Sequence, residues 1–210
     1  MPATTAEVID LRARHLRSYQ SPLLARKYRK LVAGIAEGPV QRAVAENAHR
    51  LMAYKDEYEV ARLLRRTRAQ AKGAFEGKLK LTYHLAPPML SQQGADGRPA
   101  KREYGLRMIA LLGVMARFKF LRGTPFDPFG YTAERRMERR LRATYFKDIA
   151  LLRSGKISQP DLALALAEWP GKIRGFGPVK AANAQKALAL RKDILAQINA
   201  TPEPQKHAAE

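Results

Sequence analysis

The 210-residue chain carries 39 Lys+Arg against 19 Asp+Glu, a formal charge of +20, and its 46% hydrophobic content suffices to bury a core. It contains no cysteine, which excludes disulfides, Cys-ligated zinc and iron–sulfur clusters held by its own thiolates. A positive excess of this size attracts nucleic acid, an anionic surface or an acidic partner, and it specifies no fold.

Residues 6–19 have helical periodicity, with Val8, Leu11, His15 or Leu16, and Tyr19 on one side and arginines on the other. Ser21-Pro22 caps a second helix to about Ala36, with proline at its tolerated first position. Gly38-Pro39 breaks it, and a third helix runs from Val40 to about Tyr54, with 55–68 as its continuation or a neighbour. Such short connections favour antiparallel packing, so the N-terminal third reads as a helical bundle. From Lys78 to Leu85 apolar and polar residues alternate, which predicts a strand. Pro87-Pro88 ends it, and 91–101 is a polar loop. Residues 104–120 are apolar nearly all round, the pattern of a helix in a core or against another subunit.

The stretch 121–140 stands out. Pro125, Pro128, Gly123 and Gly130 stiffen a turn-rich loop, with Phe126 and Phe129 as aromatic anchors. Thr132 is the expected N-cap of the next helix, and Glu134 suits its first turn. Met137, Leu141, Tyr145, Ile149 and Leu152 form its apolar side. Arg135, Arg139 and Arg142 are expected opposite, with Arg136 and Arg140 on the flank. A short helix follows over 162–168, then a Gly-Pro turn at 173–180 and a last helix from Pro178 to about Ile198. Residues 201–210 read as a frayed tail. The fold class is therefore mainly α, a helical bundle with at most one or two short strands near 78–85. The expected organisation is a single domain over 1–200 and a disordered tail.

Three constellations are candidates for function. Arg122, Asp127, Tyr131, Arg135, Arg136 and Arg139 are candidate anion or partner contacts, the arginines being able to take phosphate or carboxylate through paired bonds; the alternative is a solvated face of a very basic protein. Gly175, Gly177 and Lys180 offer free backbone N–H groups and a cation at a helix start, like the turn of helix-hairpin-helix DNA-binding modules; the alternative is a plain interhelical turn. Lys55, Asp56, Glu57, Glu59 and Arg62 form the densest charged cluster. Glu59 with Lys55 and Arg62 can pair along one helix, while Asp56 and Glu57 can answer the arginines of the 133–153 region. His15, His49, His84 and His207 are far apart in sequence, with no metal-ligand spacing among them. The first ten residues lack a secretory pattern, and no apolar run approaches the roughly 20 residues of a spanning helix, so a cytoplasmic protein with no membrane partner is expected.

Several stretches, in order, resemble the C-terminal region of the fused bacterial indolepyruvate (2-oxo acid) ferredoxin oxidoreductases. They are 19–32, 52–62, 83–90, 121–139 and 173–180, the most specific being Arg-Gly-Thr-Pro-Phe-Asp-Pro-Phe-Gly at 122–130. The likeness covers about 11–198. It implies a system that oxidatively decarboxylates aryl 2-oxo acids to acyl-coenzyme A and passes electrons to ferredoxin. Thiamine diphosphate, magnesium and iron–sulfur clusters act in that enzyme's upstream domains. None of those cofactor residues can be carried over to this sequence, which has no cysteine and no diphosphate–magnesium signature. The resemblance thus implies an accessory module, either separately encoded or a fragment, that is not catalytic by itself. Its partners would be the catalytic portion of the enzyme and, through the basic surface, ferredoxin or coenzyme A. The competing expectation is a nucleic-acid-binding protein using the 175–180 turn.

Overall fold

The computed structural model describes residues 4–74, 83–85, 102–104 and 113–200. The chain forms two compact units, one made of Met1–Tyr54 with Gly130–Glu210 and the other of Lys55–Phe129.

The first unit is helical. Thr4 accepts from the Glu7 amide, and the Glu7 carboxylate accepts from the Thr4 amide, so a reciprocal cap starts α1 (Thr5–Tyr19). Ser21 caps α2 (Pro22–Ala33), and Gly38, at φ 141°, turns the chain into α3 (Pro39–Met52). Further helices of this unit are α5 (Ala133–Arg153), α6 (Pro160–Glu168) and α7 (Gly177–Ala200), with a 3-10 turn at Trp169–Lys172 between the last two. The centre is α3, which packs against α1, α2, α5 and α6. Its small buried residues Ala43, Ala45 and Ala48 allow close approach from several sides, and Val44, Leu51 and Met52 fill the remaining space. Leu16, Tyr19, Tyr28, Val32, Tyr145, Ile149, Leu166 and Trp169 complete the core.

Several polar groups in this core are hydrogen-bonded to backbone carbonyls or to one another. The Tyr28 hydroxyl donates to Ala45 O at 2.9 Å, and Tyr145 donates to Ala167 O at 2.7 Å. Asn47 Nδ2 also donates to Ala167 O, at 3.0 Å, so one carbonyl ties α3 and α5 to the end of α6. Asp148 accepts from Trp169 Nε1 at 2.9 Å and is clasped by the Arg191 guanidinium, which fixes α7 to α5. Burial, then the nearby Asp148, pushes the Tyr145 phenol upward, so it remains a donor.

In the second unit Asp56 caps α4 (Glu57–Ala74), accepting from the Glu59 amide at 2.8 Å. Strands β1 (Tyr83–Leu85) and β2 (Arg102–Tyr104) pair antiparallel, with Tyr83 opposite Tyr104. Residues 113–117 are helical and lead into a 3-10 turn, Phe118–Leu121. Ala61 and Ala116 pack with Leu64 and Met115.

The mainly helical class is as expected, and three local expectations are corrected. Leu11 is exposed, because the buried stripe of α1 runs through Val8, Ala13, Leu16 and Tyr19. Of the two options for 55–68, the neighbouring helix holds, since Asp56 caps it. Tyr104 ends a strand and is not the start of a helix, while Val114, Phe118 and Phe120 are exposed, which leaves the expectation of a face against another subunit open. Arg135 is buried, where the helical wheel put it outside. The expected strand residues 78–82, the loop at 91–101 and the tail at 201–210 lie outside the described residues.

Candidate functional site

The loop 121–129 in the second unit is built around two buried carboxylates. Asp56 receives the Arg122 guanidinium in a two-point pair, Nε to Oδ2 at 2.5 Å and Nη2 to Oδ1 at 2.8 Å. Their side chains are only 3% and 4% exposed. Asp127 folds the loop from within: it accepts from the Gly123 amide at 3.0 Å, the Phe129 amide at 3.1 Å and the Tyr58 hydroxyl at 3.1 Å. Gly123, at φ 78°, supplies the left-handed residue that presents its amide to Asp127. Thr124 adds a hydroxyl bond to Leu121 O at 2.7 Å. The Tyr58 ring lies edge-on to Phe129 at 5.4 Å and beneath the Arg122 guanidinium at 5.3 Å. Burial and the Asp127 charge push the Tyr58 phenol upward, which keeps its proton on the bond to Asp127.

The two phenylalanines of this loop have opposite fates. Phe129 is half-buried against Tyr58, whereas Phe126 is 79% exposed, so only one of them anchors. In the adjacent charged cluster Glu59 holds Arg62 through two bonds at 2.8 and 2.6 Å, the expected pairing along the helix. Asp56 answers Arg122 of the loop. Lys55 is exposed and Glu57 half-buried.

In the first unit the arginines of α5 secure their own helix entry. Thr132 caps it, accepting from the Arg135 amide at 3.3 Å. Arg136 Nη1 donates to Tyr131 O at 2.8 Å, and Arg139 Nη1 to Gly130 O at 2.6 Å. The Arg135 guanidinium lies over the Tyr54 ring at 4.8 Å. The Tyr131 side chain is 62% exposed.

Lys180 makes an ion pair with the buried Glu138, so its ammonium is engaged with α5. Gly175 and Gly177 have φ of 95° and 54°, the conformation a tight turn needs. A Cβ on Gly175 would stand 2.8 Å from Val179 Cγ1. Replacing Gly175 with Ala should therefore lower stability by about 1–3 kcal/mol, through backbone strain and crowding together. Thermal unfolding of the variant measures it, and an unchanged midpoint would show that the turn relaxes freely.

One juxtaposition was not visible in the sequence. His49 Nε2 lies 2.9 Å from His15 Nδ1, and Arg12 Nη1 lies 3.5 Å from His49 Nδ1. A guanidinium only donates, so His49 Nδ1 accepts, and His49 Nε2–H donates to His15. His15 is on α1 and His49 on α3, 34 residues apart, which no spacing rule detects. Burial, then the charges of Arg12, His15 and Arg50, lowers the His49 pKa to about 3.

Among the described residues, no group of three or more His, Asp or Glu could hold a metal ion. No helix among them is long and apolar enough to cross a membrane. The fold and the loop define a class: a basic, mainly helical chain whose most distinctive motif is an internally bonded loop. The chain belongs to the family described as "Family of unknown function (DUF6537)", which matches residues 5–193. No curated protein and no solved structure matches it.

Proposed function

We propose that this chain is a noncatalytic docking module of a 2-oxo acid:ferredoxin oxidoreductase system, the role implied by the resemblance of its 122–130 motif. The observation that carries the reading is the division of labour inside that motif. Arg122 and Asp127 are consumed by bonds within the chain, while Phe126 at the loop's turn is 79% exposed. Those bonds give Arg122 and Asp127 a structural task. They fix a loop that presents an aromatic ring, and rigid aromatic side chains are favoured anchors at protein interfaces. In this reading thiamine diphosphate, magnesium and iron–sulfur clusters belong to the partner, which is the catalytic portion of the enzyme. The +20 charge then favours an acidic ferredoxin as the second contact.

The test is binding of this chain to the catalytic portion of such an enzyme truncated before its C-terminal region. Phe126→Asp should weaken association at least about thirtyfold, the loss expected for an interface anchor, with the fold retained because the side chain is exposed. An undiminished complex, or no complex with the wild-type chain, would overturn the reading.

The nucleic-acid alternative at 175–180 receives less support. Lys180, its proposed phosphate contact, is paired with Glu138.

A further inference from the structure

The second unit holds a cluster of cations that neither the motif nor the loop uses. A shallow cleft of about 480 Å³ is lined by Arg62, Arg65 and Arg66 of α4 and by Ala116, Arg117 and Lys119. Glu59 offsets one of these charges through its two bonds to Arg62. Arg65, Arg66 and Arg117 are exposed and make no ion pair among the described residues. Holding like charges on one concave surface is unfavourable unless an anion joins them, because their repulsion acts partly through low-dielectric protein. The Lys119 ammonium registers this crowding: burial, then Arg62 and Arg122, pushes its pKa downward.

We propose that this cleft binds an anion carrying two or three linked phosphates. Guanidinium forks match phosphate oxygens through paired N–H bonds, and several of them converge here on a volume suited to a small molecule. Linked phosphates supply the multiple negative charge that a single carboxylate lacks. The inference goes beyond the docking role and stands or falls without it, since it uses no residue of the 122–130 motif.

Calorimetric titration of the full chain with inorganic tripolyphosphate tests it. Wild type should bind, and the Arg65→Gln/Arg66→Gln variant should bind about tenfold more weakly or worse. A control with two exposed α1 arginines neutralised, Arg14→Gln/Arg17→Gln, should match wild type, with circular dichroism confirming folding of both variants. Equal losses in the two variants would mean a diffuse attraction to a basic protein, and the site would be refuted. Binding of a single-stranded oligonucleotide with none of tripolyphosphate would also overturn the proposal, since the ligand class would then be nucleic acid.

Discussion

Truncating Arg122 to Ala should destabilise the second unit by about 3–5 kcal/mol, among the largest effects of any single substitution in this chain. The cause is the carboxylate left behind. Asp56 is almost fully buried, caps the first turn of α4 and receives two guanidinium bonds. Without Arg122 its charge has lost its cationic partner in a site that water reaches poorly. Asp56→Ala should cost a similar amount, since it strands the guanidinium and also removes the helix cap. A double replacement, Asp56→Asn with Arg122→Met, should cost markedly less than the sum of the single truncations. It keeps a capping side chain and a space-filling stem and leaves neither charge of the pair stranded. Urea unfolding, with amide exchange at 121–129 as a local readout, checks the series. Single variants as stable as wild type would mean that this pair does not hold the loop.

The second large effect is a loss of stability in acid that traces to His49. Its folded pKa is lowered to about 3 by burial and by Arg12, His15 and Arg50, against 6.5 ordinarily. The unfolded chain therefore takes up this proton near pH 6.5, while the folded chain resists it until about pH 3. Between those values the unfolded state binds more protons, so this contribution is fully present above 6.5 and is lost as pH falls through the window. The slope approaches about 1.4 kcal/mol per pH unit, or about 2 kcal/mol between pH 6.5 and 4.5. Acid unfolding of wild type compared with His49→Gln isolates it from the carboxylates, which both proteins share. The wild-type curve should fall more steeply across this window. Parallel curves would show that His49 does not resist protonation when folded.

The residues that were legible in sequence are those whose role is local. Thr132, Ser21 and Pro22 announce helix starts because capping depends on a few neighbouring atoms, and each cap forms as read. Glu59 and Arg62 pair along one helix for the same reason. Arg135 misled because helical periodicity ranks residues by polarity and cannot see that a Tyr54 ring, 81 positions earlier, offers its face to a guanidinium. Asp56 with Arg122, 66 residues apart, and His15 with His49 are tertiary pairings that one sequence does not encode at any fixed spacing. Phe126 and Phe129 show the limit most simply. They are the same residue type three positions apart in one loop, and only the Asp127 turn decides that one ring packs on Tyr58 while the other faces out.

The central claim, a docking role without chemistry of its own, is tested most directly by ferredoxin reduction with an aryl 2-oxo acid and coenzyme A. The assay would compare this chain alone, a catalytic portion lacking its C-terminal region, and the two mixed. The account predicts no turnover by the chain alone, a gain in rate on mixing, and loss of that gain with Phe126→Asp. Turnover by the isolated chain, or a mixed rate no higher than that of the catalytic portion, would contradict it.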